Sequence, residues 1–173
     1  MPARPPTTDA FRDAASRFAT GITVVTCVDS DGIDHAMTAS SFVSLSLEPL
    51  LVSVGVERAS RFHRAVSSAG AFAVSVLSES DESAARWFAT RGRPLQDQLA
   101  HLTHHRGEHV PAALADAALA AHECRTWAVY PAGDHDIVVG EVLGLRTLRP
   151  DGEPLLYFRS GFRTLGEAAV TEG

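Results

Sequence analysis

Residues 22–56, ITVVTCVDSDGIDHAMTASSFVSLSLEPLLVSVGV, decide the fold. Ile22 to Val28 is almost wholly β-branched, which favours a pleated, half-buried strand over a helix. Asp29, Ser30, Asp31 and Gly32 supply turn residues and Ile33 to Ala39 resumes a strand, so the two runs read as a hairpin. Leu50 to Val56 is a third strand. Between the second and third, Thr38, Ser40, Ser41, Ser44 and Ser46 crowd small side chains and hydroxyls into one span. Such a span lets a planar ligand approach the backbone, whose amides can bond the polar edge of a ring. It equally describes the polar face of an edge strand.

Working outward, Thr8 or Asp9 can cap a helix to about Thr20, with Phe11, Ala14, Ala15 and Phe18 at helical spacing and Gly21 as its stop. On the other side, Ser60 opens a helix whose one face carries Phe62, Ala65, Val66 and Ala69, and residues 71–77, AFAVSVL, form a short strand. Asp81, Glu82 and Ser83 begin a further short helix that Arg91 and Gly92 close, as macrodipole and capping preferences require. Residues 93–111 are polar and aperiodic and read as a long loop. Leu119 to Tyr130, Asp136 to Leu148 and Leu155 to Arg159 are strand-like, with residues 149–154, RPDGEP, as a turn. Adjacent strands joined by tight turns, with helices too few for repeated βαβ units, predict a mainly β chain forming an antiparallel barrel with a few flanking helices.

The 173 residues are expected to form one domain over 11–165, with tails at 1–10 and 166–173. A net charge of −6 and scattered arginines argue against a nucleic-acid partner. The opening MPARPPTTD has no apolar core of a signal peptide and no long apolar run occurs, so no membrane insertion and a cytoplasmic location are expected. Cys27 and Cys124 lie in apolar runs without CxxC spacing and read as buried, reduced thiols.

Two further segments carry chemistry. In residues 55–66, GVERASRFHRAV, Gly55 closes a strand and Ser60 and Arg61 sit at a helix start; free amides, a positive dipole end and guanidinium groups make a phosphate site, or merely a capped helix with solvated arginines. In residues 131–142, PAGDHDIVVGEV, His135 stands between two aspartates, where it can donate to a carboxamide or offset anionic charge, or simply face water from a turn. His101, His104, His105 and His109 cluster in HLTHHRGEH, but Gly107 and the loop pattern break any helix that would align them, and no metal is expected.

In this order the segments resemble the flavin reductase family of the FMN-binding split barrel, the small reductase components that feed reduced flavin to two-component monooxygenases. The resemblance runs from Phe11 to Leu165 through RFATGITVVT, MTASSFVSLSLEPLLVSV, the SRF helix, GAFAVSVL, RWFATRG, ECRTW, AGDHDIVVGEV and PLLYFRSGFRTL. It implies a Greek-key split β-barrel, a homodimer, FMN or FAD as the flavin, NADH or NADPH as the hydride donor and a monooxygenase as recipient. It assigns the isoalloxazine to Thr38, Ala39, Ser40 and Ser41, and the ribityl phosphate to the Gly55 to Arg61 run with Ser60 and Arg61. The Gly-Asp-His motif falls on Gly133, Asp134 and His135, placing the imidazole near the nicotinamide, with Tyr157, Phe158 and Arg159 close by. Many relatives read Tyr-His-Arg-Gly-Gly where this chain has Tyr157, Phe158, Arg159, Ser160 and Gly161. That departure keeps one alternative in view, a flavin-binding carrier or redox-sensing module without turnover; the resemblance to the wider fold keeps a second, an oxidoreductase with tightly held FMN.

Overall fold

The computed structural model describes residues 5–94 and 96–166, so residues 1–4 and 167–173 of the expected tails lie outside the described residues. In chain order the elements are α1 (Thr8–Ala15), β1 (Thr20–Gly21), β2 (Thr23–Val28), β3 (Asp34–Ala39), β4 (Val43–Leu47), β5 (Leu50–Glu57), α2 (Arg61–Ala69), β6 (Ala71–Val76), a 3₁₀ turn (Glu79–Asp81), α3 (Glu82–Ala89), β7 (His104–Arg106), β8 (Ala113–Ala115), β9 (Ala120–Ala132), β10 (His135–Thr147), β11 (Leu156–Phe158) and β12 (Gly161–Arg163).

Seven strands make one curved sheet in the order β3-β2-β6-β9-β10-β5-β4, every neighbouring pair antiparallel. The mainly β, antiparallel architecture with few helices is therefore as expected. The sheet is not closed: among the described residues no ladder joins its edges, β3 and β4. Only Ser40, Ser41 and Phe42 connect those two edges in sequence, so the opening narrows there. Thr23 Oγ1 donates to the Ala39 carbonyl at 3.0 Å and Gly55 N to Ser41 Oγ at 2.9 Å, fixing both flanks of that short connection.

One face of the sheet holds a core of Val25, Cys27, Val54, Phe72, Val74, Cys124 and Val138, packed with Phe62, Ala65 and Val66 of α2. Full burial of a side chain the size of valine or phenylalanine is worth roughly 1.5–3 kcal/mol, so this cluster contributes heavily to stability. A second cluster joins Val24 and Ala36 to Ala85 and Phe88 of α3. Cys27 and Cys124 are free and buried, and burial pushes both thiols up to about 12.

Four elements differ from the sequence reading. The N-terminal helix is capped by Thr7 and ends at Ala15, with none of its residues buried and Phe18 77% exposed beyond it. The chain leaves the helix because Thr20 and Gly21 pair with β11 and the Ser16 carbonyl accepts from Arg159 N at 2.7 Å; tertiary pairing overrides helical spacing. Residues 43–47 form an edge strand, residues 93–111 contain β7 paired with β8, and β12 follows the last expected strand. Each is a short strand at a sheet margin, where periodicity has few residues in which to show.

Candidate functional site

The free outer edge of β3 faces a cavity of about 590 Å³ bounded by β5, the start of α2 and the segment after α3. Thr38, Ala39, Ser40, Ser41, Gly55, Ser60 and Arg61 all line it, and so does His135. Two segments far apart in sequence therefore share one hollow, of the size ordinary for small-molecule sites.

The wall beside β5 is thin by construction. A Cβ built on Gly55 would meet Ser41 Oγ at 3.3 Å, so glycine leaves the serine hydroxyl room to accept from the Gly55 amide. Thr38 uses its hydroxyl elsewhere, donating to the Ala85 carbonyl of α3 at 2.6 Å. Its part in the wall is thus a fixed side chain with its hydrogen already committed. Ser60 is the N-cap of α2 and accepts from His63 N at 3.1 Å, leaving the first amides of the helix, including Arg61 N, without intrahelical partners.

Beside the helix start two guanidinium groups come together. Arg61 donates to the Arg93 carbonyl at 2.5 Å, and Arg93 reaches back to the Ala36 carbonyl at 2.7 Å while lying over the Phe88 ring. Among the described residues neither has a carboxylate partner, whereas Arg91 at the rim pairs with Glu57 at 2.9 Å. Burial, and then the neighbouring Arg61 charge, depress the Arg93 pKa below the usual guanidinium value, and its buried Nη1 has no partner among the described residues. Two like charges held together with an orphaned donor and a helix N-terminus fit an anionic group such as a phosphate. The small-residue wall and backbone edge fit a flat ring system.

His135 begins β10, opposite Glu57 of β5, and its Nδ1 lies 2.8 Å from the Asp134 carboxylate. That contact holds the Asp134 carboxyl below its ordinary value and leaves His135 Nε2 free to face a ligand. The other flanking carboxylate does not orient His135. Asp136 points to the opposite side of the strand and takes Arg58 Nε at 2.6 Å and His63 Nε2 at 2.7 Å.

Tyr157, Phe158 and Arg159 do not line this cavity. They lie on β11 and its turn, with Tyr157 paired to Thr20 and in edge contact with Phe162. Among the histidines of residues 101–109, His101 stacks on Trp87 and His105 pairs with Asp116. No group of three or more His, Cys, Asp or Glu residues converges as metal ligands among the described residues.

Residues 15–166 match the flavin reductase like domain. The chain belongs to the flavin reductase family. As a flavin reductase relative it is 42% identical over 166 residues to NADH:riboflavin 5'-phosphate oxidoreductase of Streptomyces pristinaespiralis, covering 94% of this chain and 92% of that one. It is 40% identical to the reductase component of 4-hydroxyphenylacetate 3-monooxygenase from Thermus thermophilus, over 91% of this chain and 96% of the other. Among solved structures it superposes with a TM-score of 0.86 on BorF, the flavin reductase component of a bacterial two-component tryptophan halogenase, at 39% identity over 94% of this chain and all of that one. The NADH:FAD oxidoreductase SgcE6 of Streptomyces globisporus, solved with NAD and FAD fragments, superposes at 0.85 with 35% identity, covering 93% and 94% of the two chains.

Sequence reasoning about this flavin reductase missed Arg93, Asp136 and His63. Arg93 sits in an aperiodic segment; the one signal for it was RGR immediately after a helix. Asp136 and His63 were visible only as neighbours of residues already singled out, and nothing in their spacing, 73 residues apart, could have joined them.

Proposed function

We propose that this chain is an NAD(P)H:flavin oxidoreductase that moves hydride from NADH or NADPH to FMN or FAD and supplies reduced flavin to a partner monooxygenase. The observation that carries the reading is the single cavity in which the β3 edge, Gly55, the α2 start with Arg61 and Arg93, and His135 meet. When bound, flavin supplies an electrophilic ring nitrogen that accepts hydride from the nicotinamide. The protein's own part is binding and orientation. Ser41, Gly55 and the β3 edge seat the ring, Ser60, Arg61 and Arg93 neutralise the phosphate, and His135, steadied by Asp134, holds the nicotinamide or offsets charge on the reduced ring.

His135→Ala therefore lowers the single-turnover rate of hydride transfer while leaving flavin affinity nearly unchanged, and a variant with the parent's rate removes His135 from the mechanism. We further propose a split-barrel homodimer in the cytoplasm. Its support is an apolar outer surface on β4, β5, β9 and β10, where Leu45, Leu47, Leu50, Trp127, Tyr130 and Ile137 are exposed, Leu47 at 83%. Among the described residues no helix is long and apolar enough to cross a membrane.

The deciding experiment follows loss of NADH and NADPH absorbance with FMN, FAD, riboflavin or no flavin added. Turnover that requires added flavin supports the reductase and ranks its substrates. Flavin binding without turnover favours the carrier or sensor, and turnover of another acceptor by protein that retains FMN through gel filtration favours the prosthetic-group reading.

A further inference from the structure

Two elements bring the reacting partners of the proposed site together, and one buried carboxylate ties them. Asp136 is the second residue of β10, and strand alternation turns it away from the cavity that its neighbour His135 lines. It is only 8% exposed. One oxygen accepts from Arg58 Nε at 2.6 Å and the other meets His63 Nε2 at 2.7 Å. Arg58 lies in the turn from β5 to α2, and its backbone amide also donates to the Asp134 carbonyl at 3.0 Å. His63 is in the first turn of α2, two residues beyond Arg61, and its amide is the one that Ser60 caps. A single carboxylate thus braces the strand end that presents His135 against the helix start that presents Ser60 and Arg61.

We propose that Asp136, through Arg58 and His63, is a positioning residue that sets the register between the helix start holding the flavin phosphate and the strand end holding His135. The inference rests on the reductase reading of the cavity. It follows from bond geometry: both partners are charged or polarised toward the same carboxylate, so neither side can shift without breaking a short, charge-assisted contact. The carboxyl is correspondingly held below its ordinary value, first by His63 and then by Arg58. Because hydride transfer depends steeply on the distance between donor and acceptor, a displacement of about 1 Å here is expected to cost on the order of 10²-fold in rate while each ligand still binds.

The test measures three quantities on the full chain: thermal midpoint, flavin affinity by fluorescence titration, and the single-turnover rate at saturating flavin and NADH. Asp136→Ala and His63→Ala are expected to lose roughly tenfold to a hundredfold in that rate with flavin affinity changed by less than about threefold. His63→Gln, which keeps a donor toward Asp136, is expected to recover most of the loss. Parent-like rates in both alanine variants, with only the thermal midpoint lowered, would overturn the proposal and leave the bridge purely structural. Should Asp136→Ala fail to fold, the His63 pair decides alone: equal rates in His63→Ala and His63→Gln also overturn it. If the unaltered protein oxidises neither NADH nor NADPH with any flavin, the reductase reading itself falls, and this inference with it.

Discussion

Two of the regions expected to bind ligands, residues 38–61 and, from the resemblance, residues 157–163, meet different fates in the fold. The first converges on one cavity because both of its flanks are fastened to the main sheet: Ser41 accepts from Gly55 across the β4 edge, and β5 runs through three residues into a capped, core-facing helix. The second is a three-residue strand pair set against the two residues of β1, outside the cavity lining. Its turn places Arg159 and Ser160 at φ 49° and 58°, in the left-handed region that favours glycine. Which segment lines the cavity is therefore set less by its residue types than by how firmly its two ends are anchored to the sheet.

That contrast can be broken or sharpened by experiment. The largest effect is expected at Phe62, whose ring α2 buries in the main core: Phe62→Ala should cost about 3–5 kcal/mol in denaturant unfolding, against less than half of that for the half-buried Phe158. Equal losses would erase the distinction between an anchored and a loosely attached region. Next, Arg61→Ala should weaken FMN binding by roughly tenfold to a hundredfold, the worth of about 1.5–3 kcal/mol for a charge-assisted contact, while riboflavin affinity barely moves. Arg159→Ala should leave both affinities within about twofold; a large FMN effect there would place the hairpin, which the resemblance sets beside the nicotinamide, in the flavin site.

Acid should act on the first region too. His122 of β9 lies against Phe42, just after the cavity serines, and burial holds its imidazole below the ordinary value. The unfolded chain then binds more protons than the folded one, so stability falls as pH drops below about 6.5, and His122→Gln should remove that component of the pH profile. The smallest change in stability is a gain. Ser160→Gly should stabilise by about 1 kcal/mol by relieving left-handed strain, with flavin binding unchanged.

Much of this was legible in the sequence for stated physical reasons. The β2–β3 hairpin announced itself because β-branched runs flank a turn whose Asp29 carboxylate accepts from the Asp31 and Ile33 amides at 3.0 and 2.9 Å. Thr38, Ala39, Ser40, Ser41, Gly55, Ser60 and Arg61, which line one cavity, were ambiguous from spacing alone and were singled out by the family resemblance. Arg93 was not, since its position comes from tertiary contacts to Ala36 and Phe88 that no local pattern encodes. β4 was legible only in part: its valine and leucines alternate with serines but all stay exposed at the sheet edge, so the run read either as the polar face of an edge strand or as a span facing a ligand.

Free reduced flavin passes electrons to dioxygen and yields hydrogen peroxide, so a protein that makes it works in the presence of its own oxidant. Thiolates are what peroxide attacks. Cys27 and Cys124 are buried in the apolar core on one face of the sheet, and burial pushes their thiols up to about 12, so near neutral pH both stay in the protonated form that peroxide attacks slowly. The packing that stabilises the sheet thereby also keeps both thiols out of reach of an oxidant in solution.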